Sequence, residues 1–460
     1  MGVMPIGKLV ITMSLPMMIS MLVQALYNVV DSVWVSRVCQ DALTGVSLAF
    51  PIQNLLIAFA SGTGVGVNAI ISRSLGAMDF EKANKTASTG MALSLITSLL
   101  FMVFGFFGTT LFFKSQGNIS QQTLIYGKDY LSIVCILSFG AFGQITCERL
   151  MQSTGKTTLS MISQLTGALI NIILDPLLIL GIGPFPRLEA KGAAIATVAG
   201  QIIAFFVGIV LNSRFNKEIK LSFKHFRFEG ELVKEIYKIG IPSIIMMAIG
   251  SVMVFFMNKI LIAFTETAAT VFGVYFKLQS FIFMPIFGLN NGVIAIIAYN
   301  YGAQKKDRMI KAVKFSITLA CCIMAVGTVL VWLMPETLLK LFDAQDEMLA
   351  IGVPALRIIS TSFVLAGFDI CIGAIFQGVG KSIYSMIVSI ARQLVVLIPV
   401  AYALAQTKVL NYVWLSFPIS EVASCIASII CYIVIYKKLI SKIGKEESPS
   451  PQEAAEKKNG

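Results

Sequence analysis

The sequence predicts an all-α integral membrane protein, with twelve transmembrane helices in two pseudo-symmetric six-helix bundles. Three observations predict it. The 460 residues are 56% hydrophobic and only 13% charged, with a mean hydropathy of +0.82, whereas soluble domains run near a quarter charged. The apolar residues fall in a dozen unbroken runs, and a helix crossing a hydrocarbon core about 30 Å thick needs roughly 20 such residues. The second half of the chain also repeats the first at a nearly constant offset. Unbroken runs exclude a membrane β-barrel, whose strands alternate over segments of roughly ten residues.

The spans are expected at 8–36, 44–72, 86–112, 124–151, 158–182, 192–212, 237–263, 269–299, 312–333, 351–377, 384–405 and 412–436. Short polar turns join them, with one exception. Residues 213–236 are long, basic and partly amphipathic, the composition of a segment lying on the membrane surface. They divide the chain into an N-lobe (1–212, spans one to six), a cytoplasmic connector (213–236) and a C-lobe (237–437, spans seven to twelve). Residues 438–460 are charged, contain proline and lack aromatics, and are expected to be a disordered cytoplasmic tail.

Pro16 and Pro242 are 226 positions apart, and at the same offset Phe50 meets Phe276, Gly66 meets Gly292, and Gly76-Ala77 meets Gly302-Ala303. Further on the offset is 225, pairing Gln152 to Lys156 with Gln377 to Lys381, and Ser160 to Ile162 with Ser385 to Ile387. Duplicated bundles around a central cavity are the plan of a rocking transporter. Each half has an even number of spans, so the repeat is parallel, about an axis along the membrane normal. Gly-Lys-Thr at 155–157 and Gly-Lys-Ser at 380–382 are equivalent tight turns. A phosphate loop needs a glycine five residues before the motif glycine, where Leu150 and Ile375 stand.

The net charge of +12 is distributed by side. With the N-terminus inside, 24 Lys and Arg fall on the inner side and seven on the outer, the asymmetry of the positive-inside rule. It predicts both termini in the cytoplasm and a multi-pass protein of the cell (inner) membrane. No soluble basic domain is present to bind nucleic acid. The eight cysteines have no ligand or disulfide spacing and read as small apolar residues. The N-terminus runs into span one without a cleavage site, so no removable signal peptide is expected. Ile6 stands where myristoylation needs Ser or Thr. The lone histidine, His225, lies in the connector and cannot form a metal site by itself.

Ionisable residues in the bilayer core cost roughly 2.5–3.5 kcal/mol each on insertion scales, so each needs an explanation. The first half has Asp31 in span one and Asp175 in span five, with Glu148-Arg149 near the inner end of span four, where pairing or snorkelling can relieve them. The second half has Lys277, Asp369, Arg392 and Glu421, two cations and two anions able to neutralise one another. Asp31 and Asp175 have no basic residue at their depth. Gln24, Tyr27, Asn28 and Asp31 share one helical stripe, as do Gln164, Ala168, Asn171 and Asp175. If the stripes meet, they enclose two carboxylates and several amide oxygens without a counter-cation. Such a site holds a proton near neutral pH or binds a monovalent cation. The competing reading is that each acid hydrogen-bonds between helices as structural support. Pro176 and Pro16 leave the carbonyls of Ile172 and Thr12 without a helical donor, and Pro16 gives span one a bending point. Gly62, Gly64, Gly66, Gly288 and Gly292 read as close-packing positions.

The ordered motifs resemble the multidrug and toxic compound extrusion (MATE) transporters, prokaryotic branch with an ion site in the N-lobe. They are Leu15-Pro16 followed by Gln24 to Asp31, Arg73 to Ala77, Gln152 to Lys156, Asn171 to Pro176 and Gly192 to Thr197. The resemblance covers Leu9 to about Tyr436. It implies antiport, in which an amphipathic, often cationic drug or metabolite leaves while H⁺ or Na⁺ enters, with no cofactor beyond the coupling ion. Carried onto this chain, it makes Asp31 the principal proton or cation site and Asp175 its partner. Asn171 and Thr197 become polar ligands, with a possible Na⁺ bound by these four. Gln24, Tyr27, Asn28, Gln164 and Glu148 form the cavity and its hydrogen-bond network, and Pro16 is where span one bends. Another branch uses an acid in span seven. Here span seven has Asn258 and Lys259 instead. The expected partners are small amphipathic substrates and membrane lipids, with the protein a monomer.

Two alternatives remain. A lipid-linked oligosaccharide flippase shares the duplicated architecture but needs a cationic site for diphosphate headgroups, where the first half here offers acids. A membrane-embedded enzyme needs a nucleophile–base or metal constellation, and none is seen in the sequence.

Overall fold

In lipid a backbone must satisfy its own N–H and C=O groups, and each apolar run accordingly folds as helix. The computed structural model describes residues 1–115, 120–220, 229–342 and 344–443. The N-lobe consists of α1 (Ile6–Ser36), α2 (Gln40–Gly76), α3 (Phe80–Lys114), α4 (Gln121–Ile136), α5 (Phe139–Ser153), α6 (Thr157–Leu180) and α7 (Ala190–Phe215). The C-lobe begins with α8 (Gly230–Ile262), α9 (Glu266–Gly302), α10 (Lys306–Leu333), the short α11 (Pro335–Lys340), α12 (Asp346–Ser360) and α13 (Phe363–Gly378). It continues through α14 (Ile383–Ile390), a π-helical segment Ala391–Leu397, α15 (Ile398–Ala405), α16 (Leu410–Trp414) and α17 (Ser416–Lys438). Ten helical segments are long and apolar enough to cross a membrane, and two bent pairs bring the number to twelve.

Those bent pairs differ from the uniform spans expected. Span four is α4 and α5, bent by 48°, and span ten is α12 and α13, bent by 45°. Neither break contains proline. At both, hydroxyl side chains take backbone carbonyls: Ser138 donates to Ser98, Thr361 to Ile358 and Ser362 to Ile359. The two bonds of Thr361 and Ser362 are local and compete with the helical ladder, whereas that of Ser138 ties the first break to α3. The connector is also shorter than 213–236, because α8 starts at Gly230 and Asn216 is held by its bond to the Leu150 carbonyl. Most of the remainder, with His225, lies outside the described residues. So does the tail beyond residue 443, whereas Ile440 and Ile443 just before it are buried.

The lobes meet along a pseudo-symmetric seam, α2 against α8 and α1 against α9. A Cβ at Gly62 would stand 2.4 Å from Ile244, and one at Gly288 would stand 2.6 Å from Met18. These pairs are related by the 226-residue offset. At one end of the bundle α2 and α9 cross backbone to backbone, Gly76 against the Tyr299 carbonyl and Gly302 against the Arg73 carbonyl. Cations cluster around this crossing. Glu235 of α8 pairs with Arg73 and Lys82 of the N-lobe, and Lys85 pairs with Glu229. Arg308 donates to the carbonyls of Met1 and Met4, and Lys305 to that of Gly2. We refer to this as the basic end. The interlobe hydrogen bond from Asn54 to Ser251 (3.1 Å) is already solvent-exposed, so the seam's tight part lies toward the basic end.

Candidate functional site

Inside the N-lobe α1 packs on α6, and α6 on α7, which brings the two polar stripes together. Gln164 of α6 donates to Gln24 of α1 at 2.9 Å. Asn171 reaches both of its expected partners, donating to the Asp175 carboxylate at 3.3 Å and to the Thr197 hydroxyl of α7 at 3.4 Å. Asp175 is fully buried and lies within electrostatic reach of Asp31. Tyr27 stands within the same reach of Asp31, Glu148 and Asp175. Pro16 sits inside a continuous α1, and the Thr12 carbonyl that it frees accepts from the Thr157 hydroxyl at 3.4 Å.

This cluster has unmet acceptors, as do Asp369 and Glu421 in the C-lobe, but unlike those it has no arginine beside it in an ion pair. Asp31 Oδ1, Gln164 Oε1, Asn171 Oδ1 and Asp175 Oδ2 are all buried without a hydrogen-bond donor. A buried acceptor without a donor costs about 1–3 kcal/mol, and a carboxylate more. No ion pair between described residues involves Asp31 or Asp175. Asp175 Oδ2 and, one turn away, Asn171 Oδ1, with the Asp31 carboxylate in electrostatic reach, are acceptors that a proton or an alkali cation can satisfy, whereas Gln164 Oε1 lies about three turns from Asp175 along α6. Among the described residues no three His, Cys, Asp or Glu side chains gather as a metal cluster.

Several expectations need correction. Asn28 is exposed, and the bonds that build the cluster bypass its side chain among the described residues. Glu148 and Arg149 neither pair with each other nor snorkel. Glu148 accepts from Gln144 at 2.9 Å, and Arg149, 7% exposed, donates to Gln152 at 2.9 Å. Gly64 is a close-packing position as expected, with the Arg149 stem as its neighbour, because a Cβ there would meet that stem at 2.8 Å. Lys277 is exposed and lies over the Phe342 ring at 5.8 Å, outside the C-lobe cluster. There Arg392, in the π-helical segment, pairs with Glu421 at 2.9 Å, with Asp369 nearby.

Sequence reasoning missed Tyr130 and Gln53. Tyr130 is 1% exposed, donates to Gln53 at 3.3 Å and lies within electrostatic reach of both acids. The available signal was a phenol in mid-span, since a buried tyrosine hydroxyl needs a partner.

The model of the MatE family matches residues 16–177 and again 242–403, the two halves of the repeat. The chain belongs to the MATE family. It is thus a multi-pass membrane transporter and not an enzyme. Among MATE relatives, the multidrug export protein MepA of Staphylococcus haemolyticus is 31% identical, covering 95% of this chain and 96% of its own. Two solved MATE structures also align. An outward-facing multidrug resistance transporter of the MOP superfamily has a TM-score of 0.87 at 27% identity, over 95% of this chain and 97% of its own. A MATE in the straight conformation gives 0.88 at 27% identity with the same coverage.

Proposed function

We propose that this MATE transporter exports amphipathic, often cationic compounds in exchange for H⁺ or Na⁺, with the exchange occurring at the Asp31–Asp175 cluster. The observation that carries this reading is the set of buried oxygens without donors, two of them carboxylate and none paired with a base. The export direction follows the relatives' names, and the positive-inside rule supports a cytoplasmic basic end with both termini on that side. The tight seam at that end, with the likeness to an outward-facing relative, supports a cleft open to the outside.

With both acids ionised the chamber is negative and attracts a lipophilic cation arriving from the cytoplasm. Once the cleft opens outward, a proton or Na⁺ satisfies the acids and removes that attraction. Pro16, whose missing N–H weakens α1 about two turns before Gln24, lets the helix bend as the chamber closes and the compound leaves. Ion and compound stabilise opposite charge states of one site, which couples them. The test is Asp31→Asn in vesicles with an imposed pH or Na⁺ gradient, followed by ethidium or norfloxacin flux. The variant is expected to be folded and inserted but without gradient-driven flux, and normal drug resistance from it would contradict the scheme.

A further inference from the structure

At the basic end of the C-lobe a cavity of about 390 Å³ opens between α8, the turn before α14 and the end of α17. Its lining includes Lys238, Lys381 and Lys438 but no acid, together with Pro242, Ser382 and Ile383. None of the three lysines takes part in an ion pair between described residues. The Ser382 side chain is fully buried, and its hydroxyl has no partner. Ser382 is also the residue before α14, where the Tyr384 N–H already donates to the Lys381 carbonyl.

The internal repeat supplies the comparison. In the N-lobe the equivalent turn is closed by its own chain. Thr157 donates to the Thr12 carbonyl freed by Pro16, Lys156 donates to the Phe215 carbonyl, and the Met1 side chain packs at Gly155. In the C-lobe Pro242 likewise leaves the Lys238 carbonyl without a helical donor, yet Ser382 does not bond to it. Arg73 and Ile239 pack at Gly380 much as Met1 does at Gly155, so the difference between the two turns lies in the cavity beside the C-lobe one and in its three lysines without an ion pair among the described residues.

We propose that this cavity binds the phosphodiester headgroup of an anionic phospholipid from the leaflet at the basic end. The lysines would neutralise the phosphate. A lipid is favoured over free phosphate because the cavity continues onto apolar surface. Ile383 and Ile387 of α14 and Ile426, Ile430 and Ile433 of α17 are all at least 46% exposed, a surface suited to acyl chains. Basic pockets between transmembrane helices bind lipid headgroups in this manner.

The test is thermal stabilisation of the purified full-length protein by phosphatidylglycerol, by phosphatidylcholine and by inorganic phosphate. Phosphatidylglycerol is expected to stabilise it saturably, and the other two are not. Apparent affinity should fall about fivefold for each lysine changed to glutamine, and on the order of a hundredfold for all three. Lys381→Arg should keep binding, as should Lys156→Gln at the equivalent N-lobe turn. Unchanged phosphatidylglycerol affinity in the triple variant overturns the proposal, as does equal protection by inorganic phosphate. Should the triple variant not fold, the single variants Lys381→Gln and Lys238→Gln carry the same test.

Discussion

Gly76→Ala places one methyl group where the lobes touch most closely. A Cβ at residue 76 would lie 2.0 Å from the Tyr299 carbonyl oxygen, and one at residue 302 would lie 2.0 Å from that of Arg73. Favourable carbon contacts sit at about 3.5–4.0 Å. The obstacle at both positions is backbone, so no side chain can rotate away and α2 and α9 must part by about 1.5 Å. Overpacking of this kind costs about 1–3 kcal/mol. The cost falls only on the state in which the basic end is closed, because the helices are apart once that end opens. The ratio of the two states should therefore shift by roughly 5- to 150-fold toward the open basic end. Spin labels at the exposed, repeat-equivalent Glu81 and Asp307 would report it, as a distance distribution moved to longer values in Gly76→Ala and again in Gly302→Ala. Efflux should fall in parallel. Gly273→Ala, where a Cβ meets nothing within 4 Å, is the control and should change neither. Wild-type distances and efflux in both seam variants would refute the argument that backbone contact at this crossing holds the end shut.

Two further outcomes follow from buried charge. Gly64→Ala pushes on the stem of buried Arg149 and should cost about 1–3 kcal/mol, seen as a lower melting temperature without loss of membrane insertion; an unchanged melting point would mean that Arg149 has room to move. Arg392→Met strands Glu421 in the C-lobe and should destabilise by about 3–5 kcal/mol, whereas Arg392→Met with Glu421→Met together should recover most of it. Equal melting points for the single and double variants would count against a buried pair.

Much of the candidate site was legible before any fold was known. Asp31 and Asp175 stand out because an acid in an apolar run is costly, and the spacing of Gln24 and Asp31, like that of Gln164 and Asp175, places each set on one stripe. Asn28 illustrates the limit. It shares the spacing of Gln24 and Asp31, yet it is exposed, because a stripe defines an angle about the helix and not what packs against it. Tyr130 was hidden for the opposite reason, since its partner Gln53 is 77 residues away.

The sequence by itself determined the membrane class, the number of spans, the duplication and the two unbalanced acids. Each of these is a local or periodic property that hydropathy and spacing record directly. Only the tertiary structure decided that the acid stripes of α1 and α6 face each other, and that Glu148 and Arg149 point to separate partners. It also decided that two turns with nearly the same Gly-Lys sequence differ, the lysine of one bonded to the Phe215 carbonyl and that of the other lining a cavity with two more lysines. Those outcomes depend on contacts between distant segments, where a single neighbour determines whether a polar group is satisfied, and local sequence does not encode that neighbour.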